Sequence, residues 1–148
     1  MSDLREIYQE VIFDHYRAPR NYRPLAGANH KAEGYNPLCG DKVTVYLKVD
    51  DGVIKDLSFE GVGCAISTAA ASLMTEALKG KKVADVEHFF QDFQHMVTGA
   101  DASPQPQLGK LEVLAGVREF PSRVKCATLA WHTLLAALKG ERRPVSTE

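Results

Sequence analysis

This chain is organised around one turn, whose sequence is Gly34-Tyr35-Asn36-Pro37-Leu38-Cys39-Gly40-Asp41. Asn-Pro and Cys-Gly-Asp are turn-forming combinations, and Pro37 disfavours helical backbone at the residue before it. An extended segment follows from Lys42, so the side chains of Cys39 and Asp41 are expected on the same side of the chain. The turn therefore presents a thiol and a carboxylate side by side.

The chain contains three cysteines, of which Cys64 and Cys126 each lie where a helix is predicted to begin. Three thiols together with Asp41 form a donor set that a tetrahedral Zn²⁺ accepts. A lone cysteine is more often a small buried apolar side chain, and the spacing lacks the C-x-x-C pairs typical of zinc sites. Glycines flank Cys39 and Cys64, however, and a helix N-terminus at Cys64 favours the thiolate. The residues alone leave both interpretations open, a metal site and packed core thiols.

The composition is that of a single globular domain. The chain has 148 residues, of which 45% are hydrophobic and 25% charged, and its net charge is -1. A nearly neutral chain offers no electrostatic basis for binding nucleic acid or an anionic membrane, so neither partner is expected. No apolar run approaches the roughly 18 residues of a membrane-spanning helix, and the acidic residues near Met1 are unlike a secretory signal. An odd number of cysteines cannot form a complete disulfide framework, which predicts reduced thiols and a cytoplasmic protein.

Three segments carry the pattern of strands. The segment His30–Tyr35 alternates weakly, whereas Lys42–Val49 alternates apolar and polar residues throughout. The pair Asp51-Gly52 predicts a tight hairpin turn. The strand after the turn is expected to point inward at Val53, Leu57 and Phe59. The sequence thus predicts a small antiparallel three-stranded sheet with one covered and one solvated face.

The remaining pattern is helical, which predicts an α+β single domain over residues 1–148. Apolar residues recur at helical spacing over residues 4–16, 65–79, 85–97, 108–115 and 121–139. His15 lies on the apolar side of the first helix and is expected in the core or in an interface rather than as a ligand. Residues 98–107 hold glycine and prolines and are expected to form an exposed loop, and 141–148 to form a flexible tail.

Three motifs resemble those of the SufU-type and IscU-type iron–sulfur cluster assembly proteins, and the resemblance covers nearly the whole chain. The motifs are Glu33-Gly34-Tyr35-Asn36-Pro37-Leu38-Cys39-Gly40-Asp41, Gly61-Val62-Gly63-Cys64-Ala65-Ile66-Ser67 and Phe120-Pro121-Ser122-Arg123-Val124-Lys125-Cys126-Ala127. The resemblance implies the same fold as the residue pattern, with helices on one face of a small antiparallel sheet. It also implies that the four candidate ligands meet at one end of that sheet.

Within that family, the chain resembles the SufU branch. IscU-type proteins have a histidine immediately before the third cysteine, where this chain has Lys125. The segment between Phe93 and Phe120 resembles the insertion that marks SufU-type chains. The Leu-Pro-Pro-Val-Lys stretch that chaperones bind in IscU-type proteins is replaced here by Phe-Pro-Ser-Arg-Val-Lys. The resemblance therefore gives no basis for chaperone-assisted cluster release.

The resemblance implies a zinc-dependent sulfur acceptor rather than a stand-alone enzyme. Zn²⁺ would be held by Cys39, Asp41, Cys64 and Cys126. A persulfide formed on a SufS-type cysteine desulfurase would pass to Cys39, because Cys39 lies on a turn whereas the other two cysteines belong to helices. The sulfur would then reach downstream iron–sulfur assembly proteins or apo-protein acceptors.

Two alternatives stay open at this point. In the first, the same residues form a scaffold on which a transient [2Fe–2S] cluster, or its iron, is bound before transfer to apo-proteins. In the second, the chain is a small protein with a purely structural zinc. All three interpretations use the same four ligands, so the ligand set alone does not separate them.

Overall fold

The structure of the protein is a computed structural model that describes residues 2–37, 40–98, 106–140 and 145–146. The expectations for Cys39, for most of the loop at 98–107 and for most of the tail at 141–148 lie outside the described residues. The described elements follow the chain as α1 (Ser2–Arg17), β1 (His30–Asn36), β2 (Asp41–Asp50), β3 (Val53–Val62), α2 (Ala65–Leu78), α3 (Val83–Thr98), a 3-10 segment (Pro106–Glu119), α4 (Pro121–Leu138) and β4 (Val145–Ser146).

The predicted three-stranded antiparallel sheet is confirmed, with strand order β3-β2-β1. The two residues of β4 add to the free edge of β1 in parallel orientation. The hairpin turn between β2 and β3 has positive φ at both Asp51 (53°) and Gly52 (75°), as a two-residue turn of type I′ requires. Its short, fixed geometry sets the register of β2 and β3 next to the turn, where Asp50 pairs with Val53.

The prediction that Val53 points inward is wrong. Val49 pairs with Ile54 and Lys48 pairs with Asp56, so Lys55 has no partner and forms a bulge in β3. A bulge shifts the alternation of side chains by one residue. Ile54 is consequently fully buried, whereas Leu57 and Phe59 point inward as expected.

The helices pack on the inner face of the sheet. Helix α4 lies across β1 and β2, α2 lies against β3 and α4, and α1 lies against α2. Helix α3 and the 3-10 segment pack against each other and against α4. The short helix predicted to end at Gly116 is instead a 3-10 segment that runs on to Glu119 and is kinked at Gly109 (φ 53°). None of the described helices is both long and apolar enough to cross a membrane.

Two contacts fix the position of α4, the helix that carries Cys126. Gly34 of β1 faces it so closely that a Cβ at this position would overlap Thr133 Oγ1. On the other side of the helix, the fully buried Trp131 stacks on aromatic rings of α3, with ring-centroid distances of 4.9 Å to Phe93 and 5.9 Å to Phe90. Helix α4 is thereby held between the sheet and α3. These contacts determine how deeply Cys126 is buried.

Candidate metal centre

The inner face of the sheet becomes polar at one end. Asn36, the last residue of β1, pairs with Asp41, the first residue of β2. Both continue the inward side of the apolar alternation, and their exposed fractions are 0% and 2%. A carboxylate in such a position requires hydrogen bonds or a cation, because burying it unpaired is costly. The inner face at this end of the sheet is therefore suited to hydrogen bonding or to binding a cation, and not to apolar packing.

Cys64 approaches this carboxylate from the start of α2. It is the N-cap residue of that helix, in extended conformation, and its sulfur accepts a hydrogen bond of 3.4 Å from the backbone N–H of Ser67. Its own backbone N–H donates to Asp41 Oδ1 at 2.9 Å. The first turn of α2 thus directs one of its free N–H groups at the sulfur. The prediction that α2 begins at Cys64 is confirmed.

Cys126 reaches the same place from α4. Its side chain is 1% exposed, and its sulfur lies 3.4 Å from Asn36 Nδ2 and 3.6 Å from the carbonyl oxygen of Ser122. The same Asn36 nitrogen lies 3.3 Å from Asp41 Oδ2. Cys126 is therefore connected to the carboxylate through one shared amide group.

These elements bring together three of the four ligands predicted from sequence. The ligand atoms of Asp41, Cys64 and Cys126 all lie within 4.8 Å of one another. Cys39, the fourth, lies outside the described residues. The donor set of two sulfurs and one carboxylate oxygen fits Zn²⁺, which accepts sulfur and oxygen ligands in tetrahedral sites. The N–H groups of Cys64, Ser67 and Asn36 all point at these donors, as an anionic site requires.

Gly63 closes the centre from the side of β3. A Cβ at this position would lie 2.6 Å from Asp41 Oδ1 and 2.7 Å from Ser67 Oγ, both closer than real Cβ contacts. Only glycine therefore lets the backbone before Cys64 come this near the carboxylate. Gly63 is one of the glycines that flank Cys64 in the sequence, and the structure identifies Asp41 as the group that it approaches.

The described histidines lie away from this centre. His132 packs against the ring of Phe90 at 5.1 Å, and burial lowers its pKa below 6.5. His15 is fully buried as expected, and its Nδ1 lies 2.7 Å from Ser72 Oγ, which also accepts a hydrogen bond of 2.9 Å from the backbone N–H of Arg20. This second polar cluster joins α1 to the middle of α2 and has a structural role. Neither Ser72 nor the link from Asn36 to Cys126 could be identified from the sequence, because each connects residues far apart in the chain.

The chain is similar to known proteins in both sequence and structure. The family model described as "NifU-like N terminal domain" matches residues 7–140. The zinc-dependent sulfurtransferase SufU of Bacillus subtilis is 40% identical over 133 residues, which cover 90% of this chain and 90% of the relative. The iron–sulfur cluster assembly scaffold protein IscU of Streptococcus pyogenes is 40% identical over 139 residues, which cover 94% and 87%. The crystal structure of a SUF-system scaffold protein from Fervidobacterium islandicum superposes with a TM-score of 0.83 at 35% identity, covering 90% of this chain and 97% of that chain.

Proposed function

Since the chain belongs to the family of NifU-like N-terminal domains, we propose that it serves iron–sulfur cluster assembly as a zinc-dependent acceptor of sulfur from a SufS-type cysteine desulfurase. The observation that carries the proposal is the convergence of Asp41, Cys64 and Cys126 within 4.8 Å at one end of the sheet. A relative that is 40% identical over 90% of both chains bears the name of a zinc-dependent sulfurtransferase, which supports the same role here. We place the reaction in the cytoplasm, where thiols stay reduced.

The ligands of the ion in this proposal are Cys39, Asp41, Cys64 and Cys126. Bound Zn²⁺ supplies one thing to the chemistry, which is to keep ligand sulfur deprotonated at neutral pH and protected from oxidation. Asp41 offers a harder donor than the sulfurs, so it is the ligand expected to dissociate most readily. Its two hydrogen bonds, from Cys64 N–H and from Asn36, keep it in place until the site opens.

Cys39 receives the sulfur in this proposal. The sulfur of Cys64 is held in the N-cap of α2, and Cys126 is 1% exposed within α4, so moving either residue would require unwinding a helix. Cys39, in contrast, follows β1 and precedes β2 in the chain, so the described elements on either side of it are strands. The Cys39 thiolate attacks the outer sulfur of the desulfurase persulfide, the sulfur–sulfur bond of the donor breaks, and the donor cysteine leaves as a thiolate. The persulfide formed on Cys39 keeps the outer sulfur with its proton, so neither an oxidant nor a reductant is consumed.

A scaffold for a transient [2Fe–2S] cluster is the second candidate function. It is favoured by the 40% identity to proteins named IscU, which equals the identity to SufU. Cysteine sulfur is the usual ligand of such clusters, so the same residues would serve. In this case the cluster is cargo, and apo-proteins are the partners that receive it.

The test is desulfurase turnover measured with and without the zinc-loaded protein, followed by mapping of extra sulfur on its peptides by mass spectrometry. We expect faster turnover and one added sulfur on the peptide containing Cys39, with both lost in Cys39→Ser. Extra sulfur found mainly on Cys64 or Cys126, or a Cys39→Ser variant that still stimulates turnover, would contradict the assignment.

Further measurements on the same protein distinguish the sulfur acceptor from a cluster scaffold and from a protein with a structural zinc. Visible absorbance after anaerobic reconstitution, with transfer to an apo-ferredoxin and no stimulation of the desulfurase, would favour the scaffold. Bound zinc with no effect on turnover and no cluster would favour a purely structural ion.

A further inference from the structure

We propose that Asn36 is a positioning residue of the metal centre: its side-chain amide holds Asp41 and Cys126 together and sets how fast Asp41 releases the ion. The inference rests on the zinc site of the proposed function and adds a residue that is not itself one of the ligands.

The geometry of Asn36 is that of a bridge. Its Nδ2 lies 3.3 Å from Asp41 Oδ2 and 3.4 Å from Cys126 Sγ. An asparagine amide carries two N–H groups on this nitrogen, so one side chain satisfies both acceptors. The bridge joins a carboxylate on β2 to a sulfur on α4. Asn36 thus connects the sheet to the helix at the point where the ion would bind.

The surroundings of the amide oxygen support this orientation. Asn36 is 0% exposed, and its Oδ1 has no hydrogen-bond partner among the described residues. Turning the amide over would place that oxygen against the carboxylate of Asp41 and the sulfur of Cys126, both of which require donors. Within the described part of the chain this oxygen has no donor, because both N–H groups of the amide face Asp41 and Cys126 on the other side.

The charge of the site explains why an amide is suited to this place. Three thiolates and a carboxylate carry more negative charge than one divalent ion neutralises, so N–H donors must stabilise the remainder. An amide does so without adding a charge. Because Asp41 Oδ1 already accepts from Cys64 N–H at 2.9 Å, the bond from Asn36 leaves the carboxylate held at both oxygens. Asp41 can rotate away from the ion only if at least one of these two hydrogen bonds breaks. Removing the side chain of Asn36 removes one of them, so Asp41 should release the ion faster.

The test uses the full chain loaded with Zn²⁺ and the variant Asn36→Ala. We expect zinc affinity, measured by competition with a chromophoric chelator, to fall by about 10–100-fold, the usual effect of removing a hydrogen-bond partner of a metal ligand. The rate of zinc loss to excess chelator should rise. In the Co²⁺-substituted protein the sulfur-to-cobalt charge-transfer band should shift, because the sulfur of Cys126 loses a hydrogen bond.

The matched control is Ser72→Ala, which also removes a fully buried hydrogen-bonding side chain but belongs to the cluster around His15. It should lower stability while leaving zinc affinity and the cobalt spectrum as in the wild type. The loss caused by Asn36→Ala should also be smaller in an Asp41→Ala background, because the bond to Asp41 is then already absent. Equal losses in both backgrounds would overturn the coupling to Asp41.

The outcomes separate this inference from the proposed function. A wild-type protein that binds no zinc would defeat the proposed function itself. A wild-type protein that binds zinc, with Asn36→Ala binding equally tightly, would overturn only the role of Asn36. If Asn36→Ala does not fold, the ¹¹³Cd-loaded wild type decides by NMR. The side-chain amide protons of Asn36 should then be protected from exchange and coupled to cadmium through sulfur, and unprotected, uncoupled protons would refute the bridge.

Discussion

Replacing Gly63 by alanine tests whether the backbone before α2 closes on the metal centre. The added Cβ would lie 2.6 Å from Asp41 Oδ1 and 2.7 Å from Ser67 Oγ, where real Cβ contacts stay above 3.0 Å. Asp41 Oδ1 is held at 2.9 Å by the backbone N–H of Cys64, the residue next to the substitution. The carboxylate therefore retreats only by giving up that hydrogen bond.

Two opposing effects set the magnitude. Forcing an extra methyl into a packed site costs about 1–3 kcal/mol. Alanine in place of glycine also stabilises by about 0.4–1 kcal/mol, because it reduces the freedom of the unfolded chain. We therefore expect Gly63→Ala to lower the free energy of unfolding by roughly 0.5–2 kcal/mol.

Gly116→Ala is the matched control. A Cβ at Gly116 meets no atom within 4 Å, and Gly116 is not among the glycines with positive φ. This variant carries only the effect on the unfolded chain and should be neutral or more stable. The difference between the two variants isolates the clash at Asp41, which should be about 1–3 kcal/mol.

The assay is urea unfolding of both zinc-loaded variants, together with zinc affinity by chelator competition. Gly63→Ala should bind zinc at least about tenfold more weakly than Gly116→Ala, since the clash displaces a ligand. Equal unfolding free energies and equal affinities for the two variants would refute the close approach of residue 63 to Asp41.

The sequence predicted most of the fold because its local signals agree with one another. Strict alternation in β2 and the Asp51-Gly52 turn fix the hairpin, and the glycines after α2 and α4 end those helices near the predicted positions. The two errors have a common origin. The bulge at Lys55 depends on how β3 pairs with its neighbour, and the 3-10 segment depends on how it packs against α3, and neither contact is visible in a local pattern.

The residues of the candidate centre also fall into two groups, those that the sequence indicates and those that only the fold reveals. Glycine flanks and a helix start indicate Cys64, the turn sequence indicates Asp41, and the family motifs imply that both meet Cys126. Asn36 was interpreted only as a turn residue before proline, because its partners become visible only once the sheet is paired and α4 is docked. Cys126 lies 90 residues further along the chain than Asn36, so no spacing rule connects the two.

Asp41→Ala should leave a coordination position open, so that zinc dissociates faster or a reconstituted cluster persists longer; unchanged zinc affinity together with unchanged cluster lifetime would contradict the role of Asp41. A second prediction concerns acid stability, because burial lowers the pKa of both His15 and His132 below 6.5. Arg20 and Lys110 lower the pKa of His15 further, whereas Glu76 and Asp14 oppose the shift. The unfolded chain therefore takes up protons at these histidines before the folded protein does, so their contribution to the free energy of unfolding is complete above pH 6.5 and declines as the pH falls below it. Urea midpoints of the zinc-loaded protein, measured from pH 7.5 to about 5.5, should decline more steeply for the wild type than for a His15→Gln/His132→Gln double variant, whose residual slope reports the other groups. Parallel slopes would mean that neither histidine is held neutral by the fold.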